Sequence, residues 1–96
     1  VNVPPIGRAA RGAVVELWMV ANVCGARVRL ARERKGMSQV DLAAALAVDH
    51  KIDLSQSDVS EIERGVRGVR DYEFVALAAA LEVNIVWLLT GEAGAP

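Results

Sequence analysis

Twice in close succession, a serine stands three residues ahead of an aspartate at the head of an apolar-periodic run. Ser38 and Asp41 open "SQVDLAAALAV"; Ser55 and Asp58 open "SQSDVSEIERG". At this spacing the serine side chain can accept from the backbone N–H three positions on, while the carboxylate reaches back to the serine's own N–H. The pattern marks the first turn of a helix. In the first run Val40, Leu42, Ala43 and Leu46 supply a short apolar face, and the second run stops at Gly65, a helix C-terminal signal. Between them "DHKIDL" reads as a polar connector. Two short, separately capped helices joined in this way must bury their stripes against other helices, since neither is long enough to persist alone.

The rest of the chain supplies those helices. From Ala13 to Lys35 the one strong breaker is Gly25, and Gly36 follows as a stop. Cys24, Val28, Ala31 and Lys35 recur on one helical face, with Arg27, Arg29, Glu33 and Arg34 off it. Downstream, "VRGVR" is a basic loop, and Asp71 is placed to cap "YEFVALAAAL", in which Phe74, Leu77, Ala78 and Leu81 recur at helical spacing. Asn84 is placed to cap "IVWLL", which Gly91 ends. Strand-type alternation is hardly present, so the expected fold is all-α, with about five helices and an added N-terminal helical segment.

The expected organisation is a flexible arm over residues 1–12, a helical extension over 13–23, one helical domain over 24–92 and a frayed tail over 93–96. In the extension, "AVVELWMVAN" would point apolar side chains in all directions around a helix and needs more than one burying partner. Leu17, Trp18 and Met19 are therefore expected to meet a second subunit or to fold back on the bundle.

Ninety-six residues bound the chain to about one domain, without room for a further ligand or catalytic domain. Eleven Lys/Arg against twelve Asp/Glu give a net charge of −1, so any nucleic-acid partner must be argued from where the charges sit. Cys24 is the sole cysteine, which excludes an internal disulfide and a cysteine-based zinc site and suits a reducing cytoplasm. The run from Ala13 to Ala26 is interrupted by Glu16 and Asn22 and makes a poor membrane span and a poor signal peptide.

No Gly-rich phosphate loop, metal-spaced ligand set or nucleophile with a nearby base stands in the sequence. The lone His50 lies in the polar connector, where a solvated side chain is expected. No enzyme activity, cofactor or metal is anticipated.

What remains is the pair of capped helices, with small polar residues leading the second and arginines following it. This is the outline of a helix-turn-helix. With Val59 as the zero of a helical wheel, Ile62, Glu63 and Val66 fall within about 60°, and Ser57, Ser60, Glu61 and Arg64 fall on the other side. The first set is expected to face the core and the second a partner. A carboxylate on the core side is costly unless paired. Arg32, beside the stripe of Val28 and Ala31, is the expected partner of Glu63 in a shielded ion pair.

"GARVRLARERKGMSQVDLAAALAV", "VSEIERGVRG" and "LAAALEVNIVWLLTGE", in this order and spacing, resemble the DNA-binding domain of the Cro/cI (Xre) family of bacterial and phage transcriptional regulators. The resemblance implies a five-helix, lambda-repressor-like bundle in which the second and third helices form the helix-turn-helix and the third enters the major groove of double-stranded DNA. It implies phosphate contacts at Gln39 and Ser55, base-facing roles for Gln56, Ser57 and Glu61, an internal ion pair of Arg32 and Glu63, and an aromatic, Trp87, near a dimer contact. The chain departs from the family in carrying about six more residues between Val48 and Ser55 than the tight family turn, and in having Ala47 in place of the turn glycine.

The acidity of the second capped helix divides accordingly. Asp58 caps, Glu63 pairs with Arg32, and Glu61 is left to accept from a cytosine amino group or to stay solvated. Arg64, Arg67 and Arg70, near Ser60 and Glu61, are expected to attract phosphate, with Arg27 and Arg34 in lesser roles. The resulting expectation is a dimeric, sequence-specific repressor on a pseudo-palindromic operator. The alternative is an antitoxin-like or anti-repressor interaction module that meets a partner protein at its N-terminal segment.

Overall fold

A computed structural model describes residues 21–92. Five helices follow one another: α1 (Gly25–Arg34), α2 (Gln39–His50), α3 (Gln56–Glu63), α4 (Asp71–Leu81) and α5 (Ile85–Thr90). No strand occurs among the described residues. The proposed arm, the helical extension up to residue 20 with Leu17, Trp18 and Met19, and the tail lie outside them.

Both serine–aspartate pairs close as reciprocal capping boxes. Ser38 Oγ accepts from the Asp41 N–H at 3.0 Å and Asp41 accepts from the Ser38 N–H at 2.8 Å. The Ser55–Asp58 pair repeats this at 3.0 and 2.9 Å. Asn84 caps α5 by accepting from the Val86 and Trp87 N–H groups. At the head of α4 the cap position belongs to Arg70 rather than Asp71, because the carboxylate that reaches back three residues is that of Glu73, which accepts from the Arg70 N–H at 2.9 Å.

α1 starts at Gly25, the one strong breaker between Ala13 and Lys35. Asn22 Oδ1 accepts from the Cys24 and Gly25 N–H groups at 3.0 and 2.8 Å and so closes off the first turn. α1 and α3 then end alike: Gly36 and Gly65 take positive φ, and the N–H groups of each glycine and of the residue after it bond back into the last turn of the helix. These are Schellman endings at the two glycines read as stops.

The long connection before Ser55 is partly helix. α2 runs through Asp49 to His50, and the chain turns at Lys51 in the left-handed region, so the turn falls there rather than at Ala47. Ile52 N–H then bonds back to the Leu46 carbonyl.

The core gathers Cys24 at the N-cap of the first helix, Val28 and Ala31 within it, Leu42 and Leu46 of the second, Val59 and Ile62 of the third, and Leu77, Leu81, Trp87 and Leu88 of the last two, with Leu54 sealing the turn. Complete burial of side chains such as Leu42, Leu46 and Ile62 stabilises by about 1.5–3 kcal/mol each. Val40 and Val66 depart from the expected pattern, each 60% exposed. Val40 sits in the first turn of α2, off its stripe, and Val66 lies past Gly65, where the reversal of the chain ends the helical wheel.

Candidate nucleic-acid interface

α3 is fixed from behind. Val59 and Ile62 are fully buried, and Gly25 lets the start of α1 press directly on the α3 backbone. A Cβ at Gly25 would collide with the carbonyl oxygen of Ile62 and stand 2.9 Å from that of Glu63. Asn22 adds two further ties, donating to the Ile62 carbonyl at 3.1 Å and the Arg67 carbonyl at 2.7 Å.

The opposite side of α3 faces outward. Gln56, Ser57 and Arg64 are exposed, and Ser60 and Glu61 are half-buried. Ser55 closes the N-terminal end as the cap. The bonds from the Ser55 backbone and hydroxyl, aided by the nearby Arg67 charge, hold the Asp58 carboxyl below the usual carboxylate range. Its charge therefore stays engaged at the positive end of the helix.

Arg32 and Glu63 come together as a two-pronged ion pair, Nε–Oε2 at 2.6 Å and Nη2–Oε1 at 2.9 Å. Their side chains are 11% and 3% exposed. Arg32 also donates to the Met37 carbonyl at 2.8 Å, tying the α1–α2 turn to the same group. The hydrogen bond to Glu63, opposed by burial, holds the guanidinium firmly protonated.

Gln39, the first residue of α2, donates from Nε2 to Glu63 Oε1 at 3.0 Å, and its Oε1 accepts from Gln56 Nε2 at 2.7 Å. The N-terminal turns of α2 and α3 thus lie side by side, each with backbone N–H groups that favour an anion.

Past α3, Arg67 turns inward. It donates to Glu73 Oε1 and Oε2 at 3.1 and 3.2 Å and stands 3.8 Å from Asp58. Glu73 is 4% exposed. Burial opposes its ionisation, but the bonds from Arg67 and the Arg70 backbone, with their charges, outweigh this and hold the carboxyl below its ordinary value. Arg70 is exposed and meets the Tyr72 hydroxyl at 2.9 Å. Arg64 stays exposed beside Ser60. Arg27 is occupied elsewhere, donating to the carbonyls of Val23, Leu88 and Leu89 and clamping the end of α5. Trp87 is 6% exposed and packs into the core of its own chain.

The roles of Asn22, Arg27 and Glu73 were not anticipated from sequence. Glu73 did carry a signal, since it stands three residues after Arg70, at the spacing of a box carboxylate. Asn22 stood as an interruption of an apolar run and Arg27 as one arginine among several, and neither gave a local cue to its long-range partners. Among the described residues no group of three or more His, Cys, Asp or Glu is placed to hold a metal, and no described helix is long and apolar enough to cross a membrane.

A bundle in which the second and third helices abut at their capped N-termini, with the third showing a polar face outward, is a helix-turn-helix. A family described as a helix-turn-helix domain matches residues 24–86, and the chain belongs to it. Comparison with curated proteins and with solved structures found no match.

Proposed function

We propose that this protein is a sequence-specific DNA-binding transcriptional regulator that reads the major groove with α3. One observation carries the reading: the Gln39–Gln56 hydrogen bond sets the N-termini of α2 and α3 next to each other on the side where Gln56, Ser57 and Arg64 are exposed and Ser60 and Glu61 half-exposed. An amide at the head of a groove-sized helix, small hydroxyls along it and helix N-termini at its edge suit base edges and phosphates together.

Within this proposal Gln39, Ser55, Arg64 and Arg70 contact phosphate, and Gln56, Ser57 and Glu61 face bases. Arg67 contributes to the field of the loop while its fork stays on Glu73.

The finer proposal is a homodimeric repressor of the Cro/cI (Xre) type. One copy presents few positive charges at this face, all of them after α3, so strong binding calls for two copies on a pseudo-palindromic operator, with half-sites about 34 Å apart. Exposed Val86 and Leu89 on α5 supply apolar surface for such a pairing, and Leu17, Trp18 and Met19, outside the described residues, are the candidates that the sequence adds.

Selection from a random duplex library tests the proposal. Enriched inverted repeats, with binding that weakens steeply as salt rises, are expected. Absence of enrichment, or salt-insensitive binding, would contradict it.

A further inference from the structure

α1 and α5 run past each other in opposite directions, tied at both ends. Near the start of α1, Arg27 donates to the Val23 carbonyl and to the Leu88 and Leu89 carbonyls at the end of α5. Near the end of α1, Arg34 and Lys35 share a cleft of about 170 Å³ with Ala31, Leu81, Glu82 and Val83, and Val83 stands just before α5. Leu30 falls between the two ties on α1, and Val86 falls between them on α5. Val23, Leu30, Val86 and Leu89 are each between 37% and 47% exposed, so an apolar strip follows the line of the two helices and ends at the cleft. Apolar side chains left open side by side mark a surface on which something docks.

The chain itself supplies an occupant at one end of this strip. Ala21 is held by its N–H on the Gly65 carbonyl at 2.9 Å, and two residues later Val23 already belongs to the strip. Directly upstream, outside the described residues, stands "AVVELWMV", residues 13–20, with seven apolar residues and one acid, Glu16. An extended chain covers at most about 3.6 Å per residue, which allows Trp18 about 11 Å and Glu16 about 18 Å from Ala21. Along α1, Leu30 lies about 11 Å and Arg34 about 17 Å from Val23. The apolar residues can therefore reach the middle of the strip and the acid its far end. Charge agrees with reach, because exposed Arg34 has no ion-pair partner among the described residues.

We propose that residues 13–20 dock on the α1–α5 strip of their own bundle, with Leu17 and Trp18 against Leu30 and Val86, and Glu16 beside Arg34. The partner of the N-terminal segment is then, in the first place, its own domain. The segment has more apolar side chains than one strip can cover, and those left over add to the α5 surface offered to a second copy. The proposal does not depend on DNA reading, and its test involves no DNA.

Acrylamide quenching of tryptophan fluorescence in the full chain supplies that test. The chain has two tryptophans and Trp87 is buried in the core, so a change in quenching reports on Trp18, with Trp18→Phe giving the contribution of Trp87 alone. In the parent Trp18 is expected to be shielded at every chain concentration, including dilutions at which sedimentation finds only monomer. Leu30→Glu sets a charge in the middle of the strip and should raise the quenching of Trp18 severalfold. Arg34→Glu, at an exposed position, brings a like charge to Glu16 and should raise it too; it decides the matter if Leu30→Glu does not fold, as judged by circular dichroism melting. A parent whose Trp18 is quenched as readily as in the urea-unfolded chain would overturn the proposal. So would shielding that appears only as concentration rises, which would assign the segment to a second copy, or unchanged quenching in every folded variant.

Discussion

Arg67 and Glu73 lock the loop after α3 from inside: the guanidinium meets both carboxylate oxygens, and the same carboxylate takes the Arg70 N–H that opens α4. The arginine that sequence placed among the phosphate contacts is thus also the counter-ion of a buried acid. Its replacement is expected to act first on folding. Arg67→Ala should cost about 2–3 kcal/mol in urea unfolding, less than a fully buried pair because the Arg67 side chain is 26% exposed. Arg70→Ala, which removes an exposed contact with Tyr72 and a small share of the charge facing Glu73 but keeps the backbone N–H, should lower the midpoint far less. Equal effects of the two substitutions would count against the internal role of Arg67.

The same acid gives the fold a pH dependence. Glu73, Asp41 and Asp58 are all held below their ordinary values in the folded chain. On acidification the unfolded chain takes up protons at these positions before the folded one does, so their stabilisation is complete above the unfolded values, about 4, and is lost as pH falls through the lower folded values. The urea midpoint should hold between pH 7 and 5 and fall below about pH 4. Glu73→Gln should start lower and show a shallower acid limb; an unchanged limb would remove Glu73 from this account.

Gly25 is the residue on which the α1–α3 contact closes, since any Cβ there meets the α3 backbone rather than a side chain that can move. Gly25→Ala adds one methyl group and is expected to cost about 3 kcal/mol, through displacement of α3. Circular dichroism melting measures it, and a neutral or stabilising effect would mean that the two helices do not approach so closely.

Glu82 ends α4 in the left-handed region at φ 56°, where a side chain is strained and glycine is not. Glu82→Gly should raise stability by about 1 kcal/mol. The Lys35–Glu82 pair that it removes, 3.5 Å apart with the Glu82 side chain 77% exposed, contributes little against that gain. A lower melting temperature in the variant would contradict the argument.

How far the sequence foretold these features follows from the range of the physics involved. Helix starts at Ser38, Ser55 and Asn84 and helix stops at Gly36, Gly65 and Gly91 were legible because a cap is a local bond between residues a few positions apart. The Arg32–Glu63 contact was legible because two charged residues both fell beside apolar stripes, and each needed an opposite charge. Arg27 on the α5 carbonyls and Asn22 on the Ile62 and Arg67 carbonyls were not. Their acceptors are backbone atoms, which every residue possesses, so no pattern of side chains marks them. The turn at Lys51 was hidden for a related reason: a non-glycine residue in the left-handed region carries no signal of its own.

In the proposed function α3 reads DNA with Gln56 at its head. Its most direct test is the affinity of the folded chain, and of Gln56→Ala, for the duplex enriched from a random library and for a duplex changed only at the base pair assigned to Gln56. The parent should discriminate between the two duplexes by about tenfold, while Gln56→Ala, melting as the parent does because the side chain is exposed, should bind both alike. Discrimination that survives the loss of Gln56, or a parent that binds every duplex equally, would contradict the account.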